Sequence, residues 1–351
     1  MKKLTSFLGL LGLFALAVIL CPAKAVVLAH DAGPRVLPFI GLGGLIVNAG
    51  TLQNIFTNLK ATFNKAFEAA PSTWEKIAMK VTSTGSQNDY AWLENFPKMR
   101  RWVGDKVMKA LKAGKYVLVN EDFEATVSVK RNHIEDDNLG IYGPQAQSAG
   151  FSAKQWPDEL VMEKVNGAFT TVCFDGQYFC DTDHPGIDPV TGAAVSVSNK
   201  GTAALSCASL AAAQASLGAA RTAMKKFRDD EGRPLNITPN VLLVPPALED
   251  TASVLANNER LEDGKQNPYK GTFAVVCDAR LTSDTAWFLL DTTKPVRPFI
   301  FQERKGANFV QQTDMSADDV FKRGEFNFGV EARGAAGYGF WQLCYGSTGQ
   351  G

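Results

Sequence analysis

The chain has 351 residues, 36 basic and 36 acidic side chains, and 45% apolar residues. That length admits two modest domains or one large one, and the apolar share is enough to bury a sizeable core. A formal net charge of zero gives no global attraction to nucleic acid or anionic membrane; this excludes the strongly basic binders and leaves only local patches.

The first 25 residues read as a secretory signal. Lys2 and Lys3 form a positive end, residues 8–20 an apolar run, and Ala23-Lys24-Ala25 a small-x-small cleavage site. The run is short for a membrane span, and Leu20 stands before Cys21 where a lipoprotein signal needs a small residue. Residues 26–44 mix Gly, Pro and apolar side chains without strand or helix period, and a regular pattern starts at Leu45-Ile46-Val47. One expectation is that the protein begins at or near Leu45, so that 1–45 is a signal-like or mis-assigned upstream segment. The alternative takes the signal at face value and makes the chain a secreted or cell-surface structural protein.

Further along, Leu52, Ile55, Phe56, Leu59, Phe63 and Phe67 recur at helical spacing until Pro71, which predicts an amphipathic helix over 51–70. A short strand is expected at 77–81, then a polar turn, an aromatic stretch at 92–102 and a basic helix ending at Gly114. Residues 116–130 carry two strand patterns that suggest an exposed hairpin. In the second, Phe123, Ala125, Val127 and Val129 alternate with Glu124, Thr126, Ser128 and Lys130. Helix is expected over 138–169 with a possible kink at Pro157, then a Gly- and Asp-rich loop over 175–200. Leu210, Ala213, Leu217, Ala220, Met224 and Phe227 mark another amphipathic helix. A buried strand at 241–244 precedes a helix opened by Pro245-Pro246. The last third predicts strands at 273–278, 286–290, 299–302, 325–332 and 339–345. The order is mixed α+β, without the strict alternation of a doubly wound sheet.

Six cysteines, Cys21, Cys173, Cys180, Cys207, Cys277 and Cys344, show no zinc-knuckle or redox spacing. Buried free thiols are expected, with disulfides in an oxidising compartment as the alternative. Asp181-Thr182-Asp183-His184 is the most tempting metal site and would suit a metal-dependent hydrolase. The Pro185-Gly186 that follows favours a turn stiffened by side-chain to backbone hydrogen bonds instead. Glu135-Asp136-Asp137 could supply paired acids, but consecutive carboxylates by a helix start more often answer its dipole or a partner's cations. No nucleophile elbow, phosphate-binding loop or dinucleotide fingerprint occurs. Charge patterning says more. Lys98, Arg100, Arg101, Lys106, Lys109, Lys112 and Lys115 face only Asp105, whereas Glu121, Asp122, Glu124, Glu135, Asp136 and Asp137 face only Lys130 and Arg131. These are either two solvated faces that neutralise each other within the chain, or complementary docking surfaces between copies.

From Ile46 onward the chain resembles the Mu-like phage major head subunit, the gpT family. The resemblance rests on Asn54-Ile55-Phe56 through Phe67, Tyr90-Ala91-Trp92-Leu93, Phe96-Pro97-Lys98-Met99-Arg100, Trp102-Val103-Gly104-Asp105, Phe123-Glu124-Ala125-Thr126-Val127 and Ile134-Glu135-Asp136-Asp137-Asn138. The block Asp175-Gly176-Gln177-Tyr178-Phe179 with Asp181-Thr182-Asp183-His184-Pro185 is the most distinctive part. The resemblance covers nearly all of 46–349 and fails over 1–44.

What it implies is the tailed-phage major capsid protein fold of the Hong Kong 97 type. The expected parts are an N-terminal arm over 46–75, an extended hairpin loop over 76–131, a peripheral-domain spine helix within 132–170, an axial domain over 171–305 and returning peripheral strands over 306–351. The implied function is self-assembly, through pentamers and hexamers, into an icosahedral head around double-stranded DNA held without sequence specificity. Scaffold, protease and portal proteins are the implied assembly partners, with assembly in the host cytoplasm, no membrane, no cofactor and no catalytic residue. Leu59, Phe63, Phe67, Arg100, Arg101, Lys106, Glu135, Asp136 and Asp137 are the expected intersubunit contacts. The apolar trio is expected to be buried only on docking, so that changing Phe63 and Phe67 to Asp leaves folded subunits that cannot assemble.

Sequencing the N-terminus of the native protein is expected to read from at or near residue 45; a mature end at Val26 would rule out the upstream-segment reading.

Overall fold

The computed structural model describes residues 48–94, 116–136, 142–188, 190–229 and 232–351. α1 (Ala49–Ala69) starts at Asn48, whose side-chain oxygen accepts the Thr51 N–H at 2.9 Å and so satisfies one of the helix's orphan donors. β1 (Ala78–Thr82), β2 (Gln87–Asp89), β3 (Val117–Val119) and β4 (Glu121–Lys130) follow, then α2 (Arg131–Glu135) and the 25-residue α3 (Tyr142–Asn166). Next come β5 (His184–Ile187), β6 (Ala194–Val197), β7 (Lys200–Gly201), α4 (Leu210–Ala213), α5 (Ala219–Lys226), β8 (Val241–Val244) and α6 (Glu249–Asn257). β9 (Ala274–Cys277), β10 (Trp287–Leu290), β11 (Phe299–Gln311), α7 (Asp318–Arg323), β12 (Glu325–Tyr338) and β13 (Cys344–Ser347) complete the order.

Two sheets result. The first has strand order β1-β11-β12-β4, with β1 parallel to β11 and the other pairs antiparallel. The second has order β7-β13-β10-β8-β9, and its β8 and β10 are buried at every position. Continuous burial of Val241-Leu242-Leu243-Val244 and Trp287-Phe288-Leu289-Leu290 explains why these strands read as unbroken apolar runs.

The apolar residues form two clusters, and α3 belongs to both. Its first half presents Ala146, Ala149 and Ala153 to a core made by α1 and the far ends of β4, β11 and β12. Its second half puts Trp156, Val161, Met162 and Val165 into the main core with the second sheet. At 1.5 Å per residue the helix spans about 38 Å, long enough to reach both. Gly150 is required where α1 crosses, because a Cβ there would run into the Phe63 carbonyl. α3 continues through Pro157. The next residue, Asp158, turns its carboxylate to the backbone N–H groups of Thr73 (2.7 Å) and Trp74 (2.6 Å), tying the segment before β1 to the helix.

The structure corrects several expectations. Leu59 and Phe63 are not left bare for a neighbour: at 7% and 2% exposure they are covered by the chain itself. Phe63 packs against Phe309 at 5.5 Å between ring centroids and Phe56 against Phe328 at 6.1 Å. The reason is that β11 runs well past the predicted 299–302 and brings Phe309 to α1, beside Phe326 and Phe328 from the predicted part of β12. Charged residues 303–305 masked the continuation of β11.

The two strand patterns of 116–130 are real, but they do not pair with each other. Only Asn120 separates β3 from β4, too few residues for a hairpin turn; β3 pairs with β2 and β4 with β12. The alternation in β4 holds, with Phe123, Ala125, Val127 and Val129 turned inward. The expected loop over 175–200 contains the β5–β6 pair, and the helix over 210–227 is interrupted by a π-helical turn at Gln214–Gly218. The basic helix before Gly114 and residues 1–47 lie outside the described residues.

Since Phe63 is a core residue, Phe63→Ala is expected to cost about 3–5 kcal/mol of subunit stability. Changing Phe63 and Phe67 together to Asp is expected to unfold this cluster rather than spare it. Thermal melting and limited proteolysis of unassembled subunits check both.

Candidate functional site

The described residues offer surfaces and, around His184, a buried polar cluster. Phe67 is half-buried, stacked on Phe63 at 6.1 Å, with the Lys154 ammonium 5.4 Å above its ring. Beside it, Thr62, Lys65, Ala66, Ala69 and Ala70 of α1 and Gln147, Ser148 and Phe151 of α3 line an open groove of about 600 Å³. Of the expected acidic contacts, Glu135 is half-buried and bridges Arg131 at 2.9 Å, and Asp136 is exposed. On β4, Asp122 is mostly exposed and meets Arg333 at 3.1 Å. These pairs are solvent-screened and contribute little to the fold. Arg100, Arg101, Lys106 and Asp137 lie outside the described residues.

The tempting metal motif is rearranged. Asp181 and Asp183 do not join His184. The Asp181 carboxylate accepts the Thr182 N–H at 2.8 Å and the Tyr178 N–H at 3.3 Å, a loop-stiffening role. The ligand atoms that do converge on His184, within 4.8 Å of one another, belong to Cys173 and Asp175. Hydrogen bonds occupy each of them. His184 Nδ1 meets Asp175 Oδ2 at 2.7 Å, and Asp175 Oδ1 accepts the Cys173 thiol (3.1 Å) and the Gln177 N–H (3.1 Å). On the other side His184 Nε2 meets Asn199 Oδ1 at 3.1 Å.

Asn199 cannot be turned over, because its Nδ2 donates to the carbonyls of Phe179, Trp341 and Cys344 and its Oδ1 also accepts the Asp181 N–H. Oδ1 therefore demands a donor from His184, and the imidazole lies flat on Trp341, 4.0 Å between centroids and 10° between planes. Burial and the neighbouring Asp175 charge push the Cys173 thiol well up, so the sulfur stays an S–H donor. Burial alone would raise the Asp175 carboxyl, but the His184 hydrogen bond and charge, with the Cys173 and Gln177 donors, hold it below its ordinary value.

The cluster is thus a lock joining 173–199 to the C-terminal segment through Trp341 and Cys344. Sequence reasoning found Asp175 and His184 within one distinctive block but missed Asn199 and Cys173. Asn199 lies 15 residues from His184, and nothing local marks it. The five described cysteines are free thiols, four of them buried, as expected; Cys180 and Cys344 approach to 3.9 Å between sulfurs.

Comparison with known proteins decides the family. Residues 52–208, 201–281 and 277–350 match the family described as the Mu-like prophage major head subunit gpT. The chain belongs to this family. It is 31% identical over 300 residues to the major capsid protein of Escherichia phage Mu, covering 86% of this chain and 74% of that protein. It is 30% identical over 304 residues to the Mu-like prophage FluMu major head subunit of Haemophilus influenzae, covering 87% and 75%.

Among solved structures, a chain of the bacteriophage JBD30 procapsid superposes with a TM-score of 0.54 at 31% identity, over 86% of this chain and 76% of that one. The expected α+β capsid fold of the Hong Kong 97 type is therefore the fold found, and this gpT-family member is a major capsid protein that forms the shell of the phage head. No helix of the described residues is long and apolar enough to cross a membrane.

The lowered Asp175 carboxyl fixes the sign of a pH effect. Its stabilisation is present above the unfolded carboxyl value of about 4 and is lost as pH falls through the lower folded value. The stability difference between wild type and Asp175→Asn, read by chemical denaturation, is expected to be full at pH 6 and to shrink towards pH 3. A difference independent of pH would contradict the lock.

Proposed function

We propose that this chain builds an icosahedral head from pentamers and hexamers of itself, enclosing double-stranded DNA held without sequence specificity. Scaffold, protease and portal proteins are its assembly partners, and assembly takes place in the host cytoplasm. The observation that carries this reading is the match to a capsid family across 52–350. The neutral charge of the chain suits it, since a shell must neither repel itself nor grip its contents tightly. The role is structural: the group of metal-ligating side chains found among the described residues, around His184, is taken up by its own hydrogen bonds.

In this reading residues 46–75 are the arm, with α1 already folded onto its own subunit, and 76–131 are the extended loop, anchored to the main core through Tyr116 and Leu118. α3 is the spine of the peripheral domain, 171–305 the axial domain, and 306–351 the returning strands, of which β13 completes the axial sheet. The exposed acids Glu121, Glu124 and Asp136 and the half-buried Glu135 dock on the basic run containing Arg100, Arg101 and Lys106 of a neighbouring copy, and Phe67 borders the groove beside α1. Each such contact is weak, and many of them acting together give stability.

Electron microscopy of the purified chain at rising concentration, with and without its scaffold protein, tests this. Capsomers or hollow icosahedral particles are expected; a chain that stays monomeric under all these conditions would contradict the proposal.

A further inference from the structure

Among the described cysteines, Cys180 and Cys344 are the pair whose sulfurs meet, 3.9 Å apart, and both residues are fully buried. The other thiols face different partners. Cys173 donates to Asp175 Oδ1 at 3.1 Å and Cys207 to Glu262 at 3.3 Å, while Cys277 lies beside Glu249 and Asp278.

The backbone holds the pair side by side. Asn199 Nδ2 donates to the carbonyl of Phe179, the residue before Cys180, at 2.8 Å and to the carbonyl of Cys344 at 3.2 Å. One nitrogen therefore sets the separation of the two chain segments. The Cys180 N–H donates to the Ala168 carbonyl at 2.8 Å, and Phe179 stacks on Tyr338 at 4.4 Å between ring centroids. Cys344 opens β13, opposite Leu290 of β10. Gly346 leaves the room, because a Cβ there would lie 2.7 Å from the Cys180 sulfur. A disulfide brings its sulfurs to about 2 Å, and the gap that remains is within reach of side-chain rotation, with little movement asked of either backbone.

In the closed fold the pair is quiet. Burial pushes the Cys344 thiol well up, and Cys180 beside it adds to this, so the sulfur keeps its proton. Only a thiolate attacks a disulfide. Neither sulfur reaches the surface, so reaction waits for a local opening of the fold.

We propose that Cys180 and Cys344 are a latent cross-link, free in a reducing compartment and joined into one intramolecular disulfide by a small organic disulfide in an oxidising one. On opening, the Cys180 thiolate attacks the oxidant, forming a mixed disulfide and releasing one thiol. On closing, the Cys344 sulfur gives up its proton and displaces the second. The two protein thiols lose two electrons and two protons, and one oxidant molecule becomes two thiols. The new bond spans 164 positions of sequence and staples the joint that Asn199 holds, stabilising the fold by restricting the unfolded chain. It forms within one subunit, and so stands apart from the shell reading.

The test incubates the full native chain with oxidised glutathione, blocks the remaining thiols with an alkylating agent in denaturant, and maps the peptides by mass spectrometry. Two thiols are expected to disappear and a reducible Cys180–Cys344 peptide pair to appear. The oxidised protein is expected to run faster on a non-reducing gel and to melt about 5 °C or more above the reduced one. Cys180→Ala and Cys344→Ala should each lose the peptide pair and the gain in melting temperature. Should either variant fail to fold, the wild-type peptide map decides alone.

Cys180 and Cys344 both still alkylated after the exposure would overturn the proposal. So would a pair between Cys173 and Cys180, a bond between two chains, a lasting glutathione adduct on Cys180, or a cross-linked protein that melts no higher than the reduced one.

Discussion

One helix has to satisfy two cores at once. The first half of α3 is lined with alanine and glycine so that α1 can lie against it; the second half is lined with Trp156, Val161, Met162 and Val165, which fill the main core. Close packing leaves no slack between these two demands, because neither cluster can shift along the helix without opening voids in the other. The position of α1, the bend of the chain at Thr73 and Trp74 around Asp158, and the register of β11 against β12 all refer back to this helix. A subunit that must present fixed surfaces to many copies of itself gains from such a rigid reference.

The five-stranded sheet is held differently. Its β8 and β10 are buried at every position, and its edge is tied to the preceding loop by a polar group, not an apolar one. Asn199 takes three carbonyls and a backbone N–H, His184 bridges Asn199 to Asp175, and Trp341 stacks on the imidazole. A buried network in which every member is satisfied specifies one arrangement, since any slip leaves polar atoms unpaired at a cost of about 1–3 kcal/mol each. The same residue types that suggest metal chemistry here serve geometry.

What remains outside the two cores is modest and varied: an acidic strand face, a half-covered groove beside Phe67, and a charged tip with one bare phenylalanine. None of these is a large apolar patch of the kind that drives uncontrolled association. Weak and separate surfaces suit a protein whose copies close into a shell, because symmetric repetition multiplies small contact energies.

Helix α1 was legible from Leu52 to Phe67, the alternation of β4 from Phe123 to Val129, and β8 and β10 from their apolar runs, because each pattern is local and its period is set by backbone geometry alone. The resemblance through the block around Asp175 and His184 carried the family. Pairing and coverage were not legible. That β4 lies on β12 and not on β3, that Phe309 and Phe328 cap the apolar face of α1, and that Asn199 chooses the partner of His184 are all long-range facts. The pattern in a segment states which side is apolar or polar; only the folded chain decides what that side meets, because burial and hydrogen bonding are shared between residues far apart in sequence.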